Sequence, residues 1–327
     1  MAIVGIERVI YGVEDLDRST RFFEDFGLPL SRRTESGSDF TLANGATVSL
    51  RKIDDPSLPA PWFDGSGVRE TVWGVDGAAA LEQLAGGLAA DREVGRDPDG
   101  TAHFIADDGM PQALRRFRPK PLEAVLDRLN APGHVGRLNQ PRRWRRRARP
   151  RQIDHVVFTV ADFEKSFAFF RDRLNFRLSD YQRGFGIFAR ADGSHEHHNI
   201  YFLNCQVSPG GKPGFQHVAL GVEDIDEVMV GANHMQHRGW TLDGKGGLHG
   251  LGRHRISSAL FYYMPCPAGG DAEYHADSDY ADENWMPREW EPLFGTAIWM
   301  TDLPPFMPKE PSWDVKIFTR DVNSIGK

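Results

Sequence analysis

The chain repeats itself, and the two copies differ at histidines. Residues 153–172 (IDHVVFTVADFEKSFAFFRD) echo residues 6–25 (IERVIYGVEDLDRSTRFFED), with Asp162 over Asp15, Ser166 over Ser19 and Phe169-Phe170 over Phe22-Phe23. The offset is 147 residues (155 − 8), and it places His155 where the first copy has Arg8. Residues 215–222 (FQHVALGV) lie over 68–75 (VRETVWGV) at the same offset (217 − 70), so that His217 replaces Glu70. Fixed-period self-similarity implies a repeated supersecondary unit. The imidazoles in only one copy imply a scaffold half and a half carrying a site.

Each repeat opens as a strand and turns into a helix. Val156, Val157, Phe158 and Val160 suit a buried strand. Asp162 suits a helix N-cap, after which Phe163, Phe167 and Phe170 recur at helical spacing. Further strands are expected at 186–190, 199–204, 215–222, 257–263 and 271–275, with a helix from Asp224 to about His237. The unit is strand–helix–strand–strand–strand, βαβββ, and four units make an α+β protein of two paired-module domains with curved mixed sheets. The expected divisions are a metal-free domain at 1–130, an Arg/Pro-rich linker at 131–151, a metal-binding domain at 152–295 and an extension at 296–327.

The 327 residues suffice for two such domains. A formal charge of −7 argues against nucleic acid as the partner. No run of about 18 apolar residues marks a membrane span, and residues 1–19 lack the basic and apolar regions of a signal peptide. Two cysteines, Cys205 and Cys266, make no disulfide framework, which fits a cytoplasmic protein. Seven arginines between Arg142 and Arg151 read as a solvated linker; the alternative is pairing with an acidic surface in a homo-oligomer. Residues 275–292 (HADSDYADENWMPREWEP) would be the acidic counterpart. Their tryptophans, Trp285 and Trp290, suit a subunit contact better than a lid over the substrate.

His155, His217 and Glu273 form the candidate metal set. Two histidines and a carboxylate leave open positions on a ferrous ion, as in non-haem iron oxygenases. Asp271, Glu273 and His275 share one strand face by alternation. The long intervals between the three candidates suit ligands gathered from separate strands.

The ordered segments IDHVVF, HHNIYF, FQHVALGVEDID, GRHRIS and FYYMPCPAGGDAEY make the second half resemble the catalytic domain of type I extradiol ring-cleaving dioxygenases, of the vicinal oxygen chelate superfamily. The first half resembles that family's degenerate, metal-free domain. The resemblance implies Fe(II), with Mn(II) as the lesser alternative, and cleavage of a catechol by O2 beside its two hydroxyls. It implies His198 as the acid–base residue, ahead of His197 and His195. His254 would hydrogen-bond near the substrate, and Tyr263, ahead of Tyr262, would contact a substrate hydroxyl. Competing readings are a metal-dependent glyoxalase-like isomerase or transferase, and a bleomycin-resistance-like protein that binds a small aromatic without turnover. Two stretches depart from the family pattern: Gly269-Gly270-Asp271 in place of a single-glycine turn, and the long tract 241–253 with Gly244, Gly246, Gly247, Gly250 and Gly252.

Overall fold

In a computed structural model, which describes residues 3–242, 250–302, 304, 307 and 312–327, four βαβββ units follow one another. The first is β1 (Ile3–Val13), α1 (Leu16–Asp25), β2 (Leu30–Arg33), β3 (Gly37–Thr41) and β4 (Thr47–Lys52). The second is β5 (Gly67–Val75), α2 (Ala78–Leu88), β6 (Gly95–Arg96), β7 (Ala102–Ile105) and β8 (Pro111–Arg116). The third comprises β9 (Gln152–Val160), α3 (Phe163–Leu174), β10 (Arg177–Gln182), β11 (Gly186–Arg190) and β12 (Ile200–Asn204). The fourth comprises β13 (Gly214–Gly221), α4 (Ile225–His237), β14 (Gly250–Arg253), β15 (Leu260–Pro265) and β16 (Asp271–Ala276). A tail adds β17 (Arg288–Trp290), α5 (Pro292–Thr296), β18 (Trp299–Met300) and β19 (Val315–Ile317). This is the α+β architecture of paired modules expected from the repeat. Gly244, Gly246 and Gly247 lie outside the described residues.

The helix starts follow from the sequence. Asp15 and Asp162, at equivalent positions, accept hydrogen bonds from the backbone N–H of Arg18 and Lys165 at 2.9 and 3.1 Å. Each satisfies one of the donors left free in a first helical turn. Ser257 and Ser258, expected in a strand, precede β15 instead: Ser258 turns the chain at φ 59°, a left-handed conformation that a strand does not accept.

The units join in pairs. β1 runs antiparallel to β5, and β9 antiparallel to β13; each of these four pairs in parallel with the last strand of its own unit. The first sheet therefore has eight strands, and the second has eleven because the tail joins it. β17 lies beside β10, β18 beside β14, and β19 beside β17. The halves share one continuous core. Phe26 of the first half stacks on Tyr274 at 3.8 Å between ring centroids, and Phe176 packs edge-on to Trp73 at 4.9 Å.

Four arginines of the run, Arg142, Arg143, Arg145 and Arg151, pair with carboxylates at the start of α4, whereas Arg146, Arg147 and Arg149 are exposed. Arg143 and Arg145 reach Glu223 at 2.8 and 2.9 Å, Arg145 also reaches Asp224 at 2.9 Å, and Arg151 reaches Glu227 at 2.8 Å. Arg142 pairs with Asp226. The acidic partner is the start of α4, where carboxylates already favour the helix dipole. The segment without helix or strand runs from 117 to 151, so it begins before the Arg-rich stretch. No helix among the described residues is long and apolar enough to cross a membrane.

Arg145→Ala should cost about 1–3 kcal/mol in chemical denaturation at pH 7, because it removes the arginine on Asp224 and one of the arginines on Glu223. Burial raises the Glu223 pKa, but hydrogen bonds from Arg145 and Arg143 outweigh it and hold Glu223 below its ordinary range. Its contribution to stability is thus complete above about pH 4.3 and is lost as pH falls through the lowered value. The difference between variant and wild type should shrink correspondingly in acid.

Candidate metal centre and cavity

Strand register brings the three candidate ligands together. His155 on β9 and Glu273 on β16 both lie opposite Ala219 of β13, so the three form one rung across three strands. His217 stands two residues earlier on β13, on the same face as Ala219. The small Ala219 side chain lies beneath the ligands where a larger one would fill the space.

Two β-bulges shape this face. Register shifts skip Asp154 and Gln216, each immediately before a candidate histidine. A bulge puts two residues opposite one and re-aims side chains. Here Asp154 accepts a hydrogen bond from His275 Nδ1 at 2.7 Å, and Gln216 Oε1 accepts one from His217 Nδ1. The latter fixes the tautomer that leaves the His217 Nε2 lone pair free, the usual role of a group behind a metal-binding histidine.

The donor atoms converge. His155 Nε2 lies 3.2 Å and His217 Nε2 3.1 Å from Glu273 Oε2, and the two nitrogens are 3.1 Å apart. Edges of about 3 Å are those of an octahedron with metal–ligand bonds of about 2.1 Å. All three residues are buried, and neither Glu273 oxygen receives a protein hydrogen bond of acceptable geometry. Burial pushes the His155 imidazole down to about 3, so it is neutral. Burial alone would raise Glu273, but the facing imidazoles hold it well below its usual range, ionised. Two neutral nitrogens and one carboxylate are the donor set a divalent cation takes. No other such group of His, Cys, Asp and Glu occurs among the described residues.

The first half keeps the frame without the donors. Two of the three bulges between its central strands fall at Glu7 and Arg69, the positions equivalent to Asp154 and Gln216. Arg8 stands at the His155 position and Glu70 at the His217 position. Register between β5 and β8 places Ala113 where the second half has Glu273.

Two of the candidate ligands, His155 and His217, open into a cavity of about 750 Å³ that His198, His254 and Tyr263 also line. His198 lies over His155, with ring centroids 4.0 Å apart. His197 points away from the cavity and is fully buried; its Nε2 meets Asp180 Oδ2 at 2.9 Å and its Nδ1 meets His198 Nδ1 at 3.1 Å. With His197 Nε2–H donating to the carboxylate, His197 Nδ1 accepts from His198 Nδ1–H, which leaves His198 Nε2 as a free base. Sequence reasoning weighed His197 only as a rival to His198. Asp180 carried no signal, because its carboxylate meets His197 only through the pairing of separate segments. His195 hydrogen-bonds through Nδ1 to the carbonyl of Ala281 and does not line the cavity.

Opposite His198, the carbonyl of Thr296 accepts from His254 Nδ1–H at 2.6 Å, and His254 Nε2 accepts from the Tyr263 hydroxyl at 3.1 Å. The Tyr263 oxygen is left with lone pairs for a ligand hydroxyl. Tyr262 faces the other way, into the core, as strand alternation requires.

The Gly-Gly departure has a steric cause. At Gly269, with φ 103°, a Cβ would stand 2.1 Å from the Ser66 carbonyl oxygen of the first half; at Gly270, with φ 57°, it would stand 2.2 Å from that of Gln216. Only glycine permits both approaches.

Residues 152–256 match the model of the Glyoxalase/Bleomycin resistance protein/Dioxygenase superfamily. The chain is 26% identical over 312 residues to Metapyrocatechase 2 of Cupriavidus necator, spanning 93% of this chain and 91% of the relative. The second half thus matches this superfamily's domain, and over nearly its whole length the chain is similar to an extradiol dioxygenase. An iron-dependent extradiol dioxygenase of Rhodococcus jostii is 30% identical over 150 residues, 42% of this chain and 47% of that protein. The fold is shared with an Mn(II)-bound glyoxalase from Novosphingobium aromaticivorans, at a TM-score of 0.72 and 22% identity over 95% of this chain and 96% of that one.

The protein should bind one divalent ion per chain, in the second half. His155→Ala or His217→Ala should abolish its retention through gel filtration, measured by elemental analysis, because two remaining protein ligands hold such an ion poorly. Arg8→Ala should leave metal content unchanged.

Proposed function

We propose that this protein cleaves the ring of a catechol with O2 beside the two hydroxyls, using ferrous iron held by His155, His217 and Glu273. The observation that carries this reading is the cavity over the three ligands, with a buried base, His198, on one side and the Tyr263–His254 pair on the other. Held by His155, His217 and Glu273, ferrous iron would supply Lewis acidity toward vicinal hydroxyls and redox capacity toward O2.

The chain's own residues do the remaining work. Burial and the nearby Glu273 carboxylate hold the Tyr263 hydroxyl well above its ordinary range, so it stays protonated. It donates to His254 Nε2 and accepts from a substrate hydroxyl, which fixes the ring's orientation. His198 Nε2 takes the proton released on substrate binding and returns it as the O–O bond breaks. Asp180 and His197 keep His198 in the tautomer that can do both. The apolar walls exclude water from the reacting ring. Both atoms of O2 enter the product, a ring-opened semialdehyde acid. An isomerase, transferase or binding protein has no evident use for this paired arrangement.

Anaerobic loading with Fe(II), then addition of a catechol in air-saturated buffer, should give one O2 consumed per catechol and a yellow product. Turnover of a catechol without O2 uptake would sink this reading. Mn(II) loading in parallel tests the choice of metal.

His198→Asn should retain iron and bind catechol but turn over about a hundredfold or more slowly, the scale of lost acid–base catalysis. His197→Phe should lower kcat by about tenfold to a hundredfold at unchanged iron content, since it removes the group that orients His198. Rapid-mixing and steady-state kinetics on both variants separate binding from turnover.

A further inference from the structure

The polar chain behind His198 does not end at Asp180. Asp180 on β10 stands in register with Arg288 on the tail strand β17, and both of its oxygens are engaged from that side. Oδ1 accepts from the Arg288 backbone N–H at 2.5 Å and from its Nε at 3.3 Å. Oδ2 accepts from Arg288 Nη2 at 3.0 Å, beside the His197 Nε2–H at 2.9 Å. The guanidinium is itself fixed in place. It lies 4.6 Å from the ring centroid of Trp285 and 4.9 Å from that of Trp290, and Nη2 also donates to the Ile256 carbonyl at 3.1 Å. Arg288 thus supplies the countercharge of a carboxylate that is fully buried.

That charge bears on a proton two side chains away. His197 and His198 share one hydrogen between Nδ1 atoms 3.1 Å apart, and its owner decides what His198 presents to the cavity. With His197 neutral and its Nε2–H on Asp180, its bare Nδ1 accepts from His198 Nδ1–H, and the His198 Nε2 lone pair is free. One more proton on the Asp180–His197 pair, whichever of the two holds it, reverses the link. His197 Nδ1–H then donates to His198 Nδ1, His198 carries its own proton on Nε2, and no lone pair is left there. Asp180 and His197 are both fully buried, where an unbalanced charge is costly. With Arg288 in place, carboxylate and guanidinium already balance, and the extra proton would leave a net positive charge. Without the guanidinium, the carboxylate would draw that proton.

We propose that Arg288 is a positioning residue for the base: its charge, acting through Asp180 and His197, keeps the His198 proton on Nδ1 and the Nε2 lone pair open to the cavity. The tail strand therefore sets the hydrogen-bonding state of a group on the far side of two buried side chains. This inference rests on the ring-cleavage reading only for what His198 then does with that lone pair.

Nitrogen NMR of isotopically labelled histidine separates N–H from bare ring nitrogens. Loading with Zn(II), a closed-shell ion that accepts the same donor types, keeps O2 chemistry out of the measurement, and His198→Asn identifies the His198 signals. Wild type should carry the His198 proton on Nδ1. Arg288→Met, which keeps a stem between the indoles and removes the charge, should move it to Nε2. In the Fe(II)-loaded protein the same variant should lose about tenfold to a hundredfold in kcat, at unchanged metal content and with KM little altered. Arg288→Lys, which keeps the charge, should keep the wild-type tautomer. Asp180→Asn combined with Arg288→Met removes both charges while leaving His197 an acceptor. It should return the proton to Nδ1 and recover about fivefold or more in kcat over Arg288→Met alone, where a purely structural loss would deepen with the second change. An Nε2–H tautomer in wild type, or an unchanged Nδ1–H tautomer in folded Arg288→Met, would overturn the proposal. Should Arg288→Met not fold, an Nε2–H tautomer in Arg288→Lys or in the double variant does so. A tautomer switch in Arg288→Met with no O2 uptake by wild type from any catechol would instead overturn ring cleavage and leave the positioning role supported.

Discussion

One buried carboxylate constrains the rest. Glu273 is fully enclosed and faces two imidazole nitrogens at 3.1 and 3.2 Å. Burying an ionised carboxylate costs several kcal/mol unless opposite charge compensates it. Two neutral imidazoles compensate only in part, and a divalent cation among the three donors would complete the neutralisation. The surroundings hold the geometry open: Ala219 lies beneath, the bulge at Gln216 orients His217, and Tyr274 locks the strand to the first half. The Tyr274 hydroxyl donates to the Phe26 carbonyl at 2.9 Å, and its ring stacks on Phe26.

The first half shows what the frame is without its chemistry. Both bulges persist there although no metal donors accompany them, so they belong to the fold and not to the site. Glu70, at the His217 position, is engaged by His103 at 2.9 Å, and this hydrogen bond raises the His103 pKa to about 9. Local ion pairing thus occupies the space that donor atoms occupy in the second half. The first half still contributes to the site from outside: its Ser66 carbonyl packs where Gly269 lacks a side chain, beside the turn that leads into Glu273.

The tail joins the site by a different route. Trp290 is buried against Val157, Phe188, Tyr201, Ile256 and Phe294, and the Trp285 indole N–H donates to the Ser179 carbonyl at 2.8 Å. Trp285 and Trp290 of the acidic, aromatic stretch therefore pack within their own chain. The division expected at residue 295 would cut through α5, whose last residue, Thr296, holds His254 through its carbonyl.

Periodicity and repetition made the four units legible, because strand and helix patterns are local and the helix caps Asp15 and Asp162 act within one turn. The same repeat singled out His155 and His217, since their absence from the sister positions is a difference visible without coordinates. Tertiary structure alone decided the partners: that His197 and Asp180 stand behind His198, that Thr296 orients His254, and that the arginine run meets α4. Each of these contacts joins segments distant in sequence, and no local pattern encodes which carboxylate or carbonyl will lie opposite a given side chain. The size and lining of the cavity belong with them, because a cavity is defined by surfaces from separate strands and by a tail whose composition suggested an outside partner. Sequence determined the repeated unit and the donor types; packing decided which groups face one another, because only the closed sheet brings them within hydrogen-bonding range.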